Sequence, residues 1–276
     1  MNIGIIGFGV VGKAIEMTMS KFYEVTIYDK YQESYSDFKS VTKTDIIFIS
    51  VPTPFDCSVG GVDESAIVDN LSLLQKFNFN GIVIIKSTIP PGSCSRYEFD
   101  YDLKICFNPE FLRESTTPNE DFRNQKEIVI GTKSDQIFDE VKKMYSKVCR
   151  DDANYYKTTT TEAEMIKYSQ NTMLASRVAI ANMIYDACVE FEVDYDIVKN
   201  VAFDKFDIIG PQMTLVPGPD GMRGFGGKCL PKDIRGFSTV IDSELVRSII
   251  SYNDSLRNDL HKVLINYSEK DDFGKR

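Results

Sequence analysis

Short apolar runs rich in β-branched residues recur through the first half of the chain, and helical patterns separate several of them. The runs lack the strict alternation of a half-exposed strand, which is typical of strands buried on both faces of a parallel sheet. We therefore expect an α/β fold with a doubly wound, mostly parallel sheet covered by helices. The predicted strands are Asn2–Ile6, Glu24–Tyr28, Asp45–Ser50, Gly81–Lys86, Lys104–Phe107 and Glu127–Ile130, and the predicted helices are Gly12–Lys21, Glu64–Phe77 and Gln136–Val148.

The second half of the chain has a helical pattern. Thr161–Glu192 contains no Pro or Gly, and its apolar residues spread over more than one face, which indicates burial on several sides. A Gly/Pro-rich loop follows at Pro211–Gly227, then helices from about Lys232 and about Glu244. The sequence thus predicts a sheet domain over residues 1–155, an all-helical central domain over 156–250, and a C-terminal helix with a polar tail over 251–276.

Composition narrows the function classes. The 276 residues include 32 Lys+Arg and 41 Asp+Glu, a net charge of −9, which argues against nucleic acid as a partner. No apolar run approaches the roughly 18–20 residues of a membrane span, and Met1–Gly4 has no basic lead of a secretory signal. We therefore expect a cytoplasmic chain without membrane contact. A single histidine, His261, and six cysteines without a CxxC pair predict no metal site.

A glycine fingerprint, Gly7-Phe8-Gly9-Val10-Val11-Gly12, directly follows the first predicted strand and opens a helix. The first glycine permits a tight turn, the second lets the backbone approach a pyrophosphate, and the third allows close packing of helix on strand. Asp29 ends the second strand, where its carboxylate can bond ribose hydroxyls and repel a 2′-phosphate. The pattern predicts a Rossmann-like domain that binds NAD rather than NADP, although a glycine turn in another α/β fold is the alternative.

One cysteine has unusual surroundings. Cys229 stands between Lys228 and Lys232, at the predicted start of a helix. Cations and a helix N-terminus both lower the pKa of a thiol, and the thiolate is the nucleophile. The pattern favours a catalytic thiol, with an ordinary buried cysteine as the alternative.

Two polar pairs are less distinctive. Lys167 and Asn171 are four residues apart on the long helix and therefore share one face. Glu110 and Glu114 have the same spacing. Each pair can belong to a functional site, and an ordinary polar stripe on a solvated face is the alternative.

Further motifs follow one another along the chain: the glycine fingerprint, Val51–Pro54, Lys86–Pro90, Asn108–Glu114, Asp121–Asn124, Glu162–Lys167 with Asn171, and Gly224–Asp233. In this order they resemble the UDP-glucose/GDP-mannose dehydrogenase family, and the resemblance covers nearly the whole chain. It implies an NAD-dependent, four-electron oxidation of a nucleotide sugar, UDP-glucose being the expected substrate, from the C6 alcohol to the carboxylate. Cys229 would attack the intermediate aldehyde, and a second hydride transfer would leave a thioester for water to hydrolyse.

The resemblance also assigns roles to residues. The catalytic set is Cys229, Lys167, Asn171, Asp233, Glu110 and Thr88. The cofactor-binding set is Gly7, Gly9, Val10, Val11, Gly12, Asp29, Val51, Pro52, Thr53, Ser87, Thr88, Glu114 and Lys232. The substrate-binding set is Glu110, Phe111, Leu112, Arg113, Lys167, Asn171, Phe225, Gly226 and Cys229.

Some features depart from the family pattern. Typical members carry a third, C-terminal domain that grips the nucleotide, and this chain is expected to lack it. The loop Pro217–Arg223 is longer than usual, and Ile208 stands where a basic residue is common. The resemblance further implies a homodimer in which two copies pack through the 161–192 helix.

Two other functions remain open at this point. A two-electron dehydrogenase of the β-hydroxyacid or 6-phosphogluconate type shares the cofactor domain and a Lys-x-x-x-Asn helix, but needs no nucleophilic cysteine. A truncated relative that binds NAD without catalysis is the other alternative.

Overall fold

The computed structural model describes the chain except for residues 59, 112–121, 207–209, 211–212 and 258–276. Its strands are β1 (Asn2–Ile6), β2 (Glu24–Tyr28), β3 (Ile46–Ile49), β4 (Phe55–Asp56), β5 (Gly61–Val62), β6 (Ile82–Ile85), β7 (Lys104–Phe107), β8 (Glu127–Gly131) and β9 (Asn154–Thr158). Its α-helices are α1 (Val10–Met19), α2 (Phe38–Val41), α3 (Ser65–Lys76), α4 (Ser93–Asp100), α5 (Asp135–Tyr145), α6 (Thr160–Glu190), α7 (Tyr195–Lys199), α8 (Leu230–Val240) and α9 (Glu244–Arg257).

Seven strands form one sheet in the order β2-β1-β3-β6-β7-β8-β9. All neighbouring pairs are parallel except β7 with β8, which pair antiparallel. The mostly parallel sheet predicted from the sequence is therefore confirmed. The structure adds the edge strand β9 and the short β4–β5 hairpin, neither of which was predicted.

Helices cover both faces of the sheet. Along β3, Ile46 and Phe48 belong to one apolar cluster, while Ile47 and Ile49 belong to a second. The first cluster contains side chains of α1 and α5, and the second contains side chains of α3 and α4. Because successive side chains of a strand point to opposite faces, this alternation confirms the doubly wound architecture.

The chain divides into two compact units. Among the described residues, the first contains Met1–Pro54 and Val62–Lys167, and the second contains Phe55–Gly61 and Tyr168–Arg257. The division falls inside α6, the long helix that the sequence predicted. The second unit is mainly helical, with an apolar cluster centred on Ala175, Val178, Phe225, Ile234 and Val246. Among the described residues, no helix combines the length and apolar character that crossing a membrane requires.

Candidate functional site

The predicted site residues of the first unit follow the carboxyl ends of adjacent parallel strands. Gly7 follows β1, Val51 lies two residues beyond β3, Ser87 two residues beyond β6, and Glu110 three residues beyond β7. The order of connections reverses between β1 and β3, because β2 and β3 lie on opposite sides of β1. Ligands of open α/β sheets bind in the crevice at such a point.

The glycine turn has the geometry that its residue types predict. Gly7 has φ +91°, and a Cβ there would lie 2.7 Å from the carbonyl oxygen of Ser50. A Cβ on Gly12 would overlap the carbonyl oxygen of Gly7, whereas a Cβ on Gly9 would meet nothing within 4 Å. Two glycines are thus needed for packing, and the third leaves open space in which a pyrophosphate can approach the backbone.

Helix α1 begins at Val10, directly after Gly9. Its N-cap is Gly9, which supplies no side-chain cap, and its first turn contains no acidic residue. The first N–H groups of a helix have no partner within the helix and carry a partial positive charge. The N–H groups of Val10, Val11 and Gly12 therefore suit the pyrophosphate of a dinucleotide.

Asp29 lies beside the glycine turn and is almost fully buried. Its Oδ2 accepts a hydrogen bond from the N–H of Phe8 at 2.7 Å, and its Oδ1 accepts one from the N–H of Tyr31 at 2.9 Å. Each carboxylate oxygen has a second lone pair, so the group can still accept from ribose hydroxyls. The residues at this edge fit NAD.

Replacing Asp29 with asparagine is expected to narrow the preference for NAD over NADP, because the variant keeps the size of the side chain and loses the charge that repels a 2′-phosphate. Calorimetric titration of both cofactors measures the preference in the native chain and the variant. Asp139→Asn, an exposed change on α5, is the control and should leave both affinities unchanged. Equal or reversed affinities in the native chain would contradict the assignment.

Two hydroxyl groups join the loops that follow β3 and β6. Ser87 donates to the carbonyl of Val51 at 2.6 Å, and Thr53 donates to the carbonyl of Thr88 at 2.7 Å. The structure therefore brings together four of the residues predicted to contact the cofactor. These hydrogen bonds fix the shape of the edge on which a cofactor would rest.

Lys86 is a further candidate site residue, which the sequence did not predict. Its side chain is fully buried, with Nζ 2.8 Å from Oδ1 of Asn108 and 3.0 Å from Oε2 of Glu110. The same Oδ1 accepts from the hydroxyl of Tyr145, and Nδ2 of Asn108 donates to the carbonyl of Val129. Lys86, which directly follows β6, thus forms an ion pair with Glu110, whose carboxylate is predicted to be catalytic. The available signal was a lysine at the end of an otherwise apolar strand.

Phe111 is the next predicted residue along the chain. Its ring centroid lies 5.3 Å from Nζ of Lys167, a cation–π distance. Lys167 is mostly buried, so its ammonium is held in a defined position. Leu112, Arg113 and Glu114, also predicted here, lie outside the described residues.

The second unit places Cys229 at the N-cap of α8. The thiol is exposed, and the carbonyl of Cys229 accepts from the N–H of Asp233 at 2.8 Å. The helix begins at Leu230, two residues before the predicted start near Lys232, because that hydrogen bond closes the first turn and Pro231 is compatible with it. The prediction of a thiol at a helix N-terminus is confirmed.

A polar cluster lies in the same turn. Asp233 is fully buried, its Oδ2 accepts from Nδ2 of Asn171, and its Oδ1 lies 3.1 Å from Nζ of Lys232. Three of the predicted site residues therefore meet one turn beyond the thiol. Phe225 and Gly226, predicted to face the sugar, belong to the loop that leads into Cys229.

The other cysteines differ from Cys229 in their surroundings. Cys94, Cys106, Cys149 and Cys188 are buried, and Cys57 is exposed in the β4–β5 hairpin. Burial raises the pKa of the Cys106 thiol to about 12 and that of Cys149 to about 11. The pKa of Cys94 is also raised, by burial and by the adjacent Glu164 carboxylate. Among these thiols, only Cys229 combines exposure with a helix N-terminus.

A Rossmann-like sheet domain followed by a helical domain is an architecture found among nicotinamide-dependent dehydrogenases. Residues 29–149 match the NAD binding domain of the UDP-glucose/GDP-mannose dehydrogenase family, and residues 161–255 match its central domain. The chain belongs to this family, and NAD is the cofactor of its first domain.

Individual relatives agree with the assignment. UDP-glucose 6-dehydrogenase from Rickettsia bellii is 33% identical over 238 residues, which are 81% of this chain and 52% of that protein. A UDP-glucose dehydrogenase structure from Pyrobaculum islandicum has a TM-score of 0.79 at 23% identity and covers 92% of this chain and 68% of that one. A UDP-D-ManNAc dehydrogenase structure from Pyrococcus horikoshii has a TM-score of 0.80 at 18% identity, covering 96% and 71%. The chain spans about half the length of the curated relatives it matches.

Proposed function

We propose that this chain oxidises the C6 alcohol of a nucleotide sugar, UDP-glucose first among the candidates, to the carboxylate. The observation that carries the proposal is the exposed Cys229 thiol at the N-terminus of α8, with Asp233 one turn further along that helix in contact with Lys232 and with Asn171 of α6. A two-electron alcohol dehydrogenase needs no such thiol. The relatedness to UDP-glucose 6-dehydrogenase from Rickettsia bellii supports the choice of substrate.

The proposed reaction consumes one sugar alcohol, two NAD⁺ and one water, and yields one carboxylate, two NADH and three protons. NAD supplies the chemistry of accepting a hydride. The Cys229 thiolate adds to the aldehyde carbon formed after the first oxidation and gives a thiohemiacetal. Loss of the second hydride leaves a thioester, and water displaces the thiolate to release the acid. A thiolate suits both steps because it is a strong nucleophile and a good leaving group.

Polar residues of the chain provide the charges and protons that these steps require. The Lys167 ammonium stabilises the alkoxide and oxyanion that develop on the substrate oxygen, and the Asn171 amide assists it. Asp233, Glu110 and Thr88 orient water and accept protons, a role for which a positioned carboxylate is suited. The burial of Asp233 and Lys167 excludes water from their charges and strengthens both effects.

A panel of nucleotide sugars tests the proposal. The purified chain is incubated with NAD and each of UDP-glucose, GDP-mannose and UDP-ManNAc, and NADH formation is followed by absorbance. Formation of NADH together with a sugar acid, identified by mass spectrometry, is expected for one of them. NADH with a product that stops at the two-electron stage would favour the two-electron class, and no NADH from any of them would favour NAD binding without catalysis.

The substrate complex is proposed to form in a homodimer that packs through α6. One face of this helix contributes Ala175, Val178 and Ala179 to the interior of the protein, whereas Met173, Ile180 and Met183 are more than half exposed. These three apolar side chains lie on one stripe because their spacings are close to whole helical turns. A second copy that covers the stripe would bury roughly 1,200 Å² or more in a specific interface.

Light scattering at micromolar concentration is expected to give about twice the 31.3 kDa chain mass. Ile180→Lys should shift the mass toward that of one chain, since it places a charge in the covered stripe. Asp139→Lys, an exposed change on α5 outside the 161–192 segment, is the control and should not. A native chain that is monomeric at these concentrations would contradict the dimer.

A further inference from the structure

The loop that leads into Cys229 is held by two side chains of α9. Oδ1 of Asn253 accepts from the N–H of Phe225 at 2.7 Å, and Nδ2 of Asn253 donates to the carbonyl of Phe225 at 3.1 Å. The amide therefore pairs with both backbone groups of one residue, as a neighbouring strand would. Asn253 is 5% exposed, so water does not compete effectively for these hydrogen bonds.

Arg257, one turn further along α9, binds the same loop. Its Nη2 donates to the carbonyl of Gly224 at 2.8 Å, and its Nη1 lies 2.7 Å from Oδ2 of Asp220. The arginine side chain is 7% exposed. The guanidinium thus joins Asp220 to the residue just before Phe225, through two separate donors that the single ammonium of a lysine cannot place in the same geometry.

The loop is shaped to receive these two side chains. Gly224 has φ +75°, and a Cβ there would lie 2.5 Å from Oδ1 of Asn253. A Cβ on Gly226 would lie 2.7 Å from Cζ of Arg257. Both glycines leave room for the close approach of a polar side chain to the backbone. The contacts of Asn253 and Arg257 with the loop therefore depend on glycine at positions 224 and 226.

Helix α6 holds the other side of the loop. Oδ1 of Asn182 accepts from the N–H of Gly224 at 3.1 Å, and Arg223 pairs with Asp186. The hydroxyl of Tyr252 on α9 donates to the same Asp186 at 2.7 Å. Side chains from α6 and α9 therefore fix the loop from two directions.

We propose that Asn253 and Arg257 are positioning residues that hold the loop and thereby set the place and reactivity of Cys229. Neither residue is assigned to substrate, cofactor or the reacting atoms. A glycine-rich segment has high conformational entropy, and each fixed backbone hydrogen bond reduces the number of conformations it visits. Because the loop enters α8 through Cys229, fixing it keeps the thiol at the positive helix N-terminus. The inference rests on the proposed function for its catalytic consequence.

Two variants test the proposal. Asn253→Asp keeps the size of the side chain and places an oxygen opposite the carbonyl of Phe225, where a donor is required. Arg257→Lys keeps the charge and loses the second donor. Arg247→Lys is the matched control, because Arg247 lies on the same helix but is exposed and pairs with Asp242.

The first two readouts need no enzymatic activity. Hydrogen exchange of the Phe225 amide is expected to be about tenfold faster or more in both variants and unchanged in Arg247→Lys. The rate of Cys229 alkylation by iodoacetamide is measured across pH, with Cys57 as the internal reference. In both variants the midpoint of this pH dependence is expected to be higher than in the native chain, and the rate at pH 7 severalfold lower. Unchanged exchange, or an unchanged alkylation profile in a folded variant, would overturn the proposal.

The third readout connects the loop to turnover. Both variants are expected to lower kcat for acid formation about tenfold or more, with the KM for NAD unchanged. Faster exchange without a change in kcat would refute the positioning role. If the native chain oxidises none of the nucleotide sugars, the proposed function fails, and the alkylation profile alone decides whether Asn253 and Arg257 set the reactivity of Cys229. Circular dichroism confirms folding, and Arg257→Lys decides the test if Asn253→Asp does not fold.

Discussion

The Cys229→Ala variant is expected to form no sugar acid and to bind NAD as the native chain does. Without the thiol no thiohemiacetal can form, so the second oxidation has no covalent intermediate from which to proceed. Apart from Lys232, the described residues that are predicted to contact the cofactor belong to the first compact unit, whereas Cys229 belongs to the second. Product analysis by mass spectrometry and calorimetric titration of NAD measure the two effects separately.

Cys57 provides the matched control for this experiment. It is the other exposed cysteine among the six, and it lies in a hairpin rather than at a helix N-terminus. Cys57→Ala should keep the rate of acid formation, and iodoacetamide should label Cys229 faster than Cys57 in the native chain. A Cys229→Ala variant that still forms the acid at the native rate would contradict a covalent mechanism.

The Lys86→Met variant is expected to lower the free energy of unfolding by about 3–5 kcal/mol, the usual cost of removing one partner of a buried ion pair. Methionine fills a similar volume but cannot donate to Asn108 or compensate the carboxylate of Glu110, whose side chain is only 12% exposed. Chemical denaturation followed by circular dichroism measures the change.

Lys104→Met is the control, since Lys104 is exposed at the start of β7 and should cost no more than about 0.5 kcal/mol. Adding Glu110→Gln to Lys86→Met removes the carboxylate that the first change leaves without its cation. The double variant should therefore lose less stability than the sum of the single changes. Strict additivity would show that the buried pair is not coupled as described.

The sheet domain was predictable because its signals are local. Apolar runs marked the six strands from β1 to β8 that the sequence predicted, and the positions of Gly7, Gly9 and Gly12 predicted the turn that the structure shows. Strand β9 was missed because its residues Asn154–Thr158 are mostly polar and partly exposed, as an edge strand permits. Its pairing with β8 depends on tertiary contact rather than on its own pattern.

The candidate site was predictable only in part. The position of the Cys229 thiol at a helix start could be predicted, because the residues that indicate it are contiguous in the sequence. The buried pair of Lys86 with Glu110 joins residues that follow different strands, and no periodicity identifies such a pair. The contacts of Asn253 with Phe225 likewise span separate parts of the chain. Long-range polar contacts of this kind become visible only when the backbone positions are known.

The stoichiometry of NADH to sugar acid shows whether the chain removes two or four electrons from the sugar. The chain is incubated with excess NAD and a limiting amount of the nucleotide sugar it accepts, NADH is measured by absorbance, and the acid is quantified by mass spectrometry. A four-electron oxidation through Cys229 is expected to give two NADH for each molecule of acid, with no accumulation of free aldehyde. One NADH for each molecule of an oxidised product that is not the acid would contradict it.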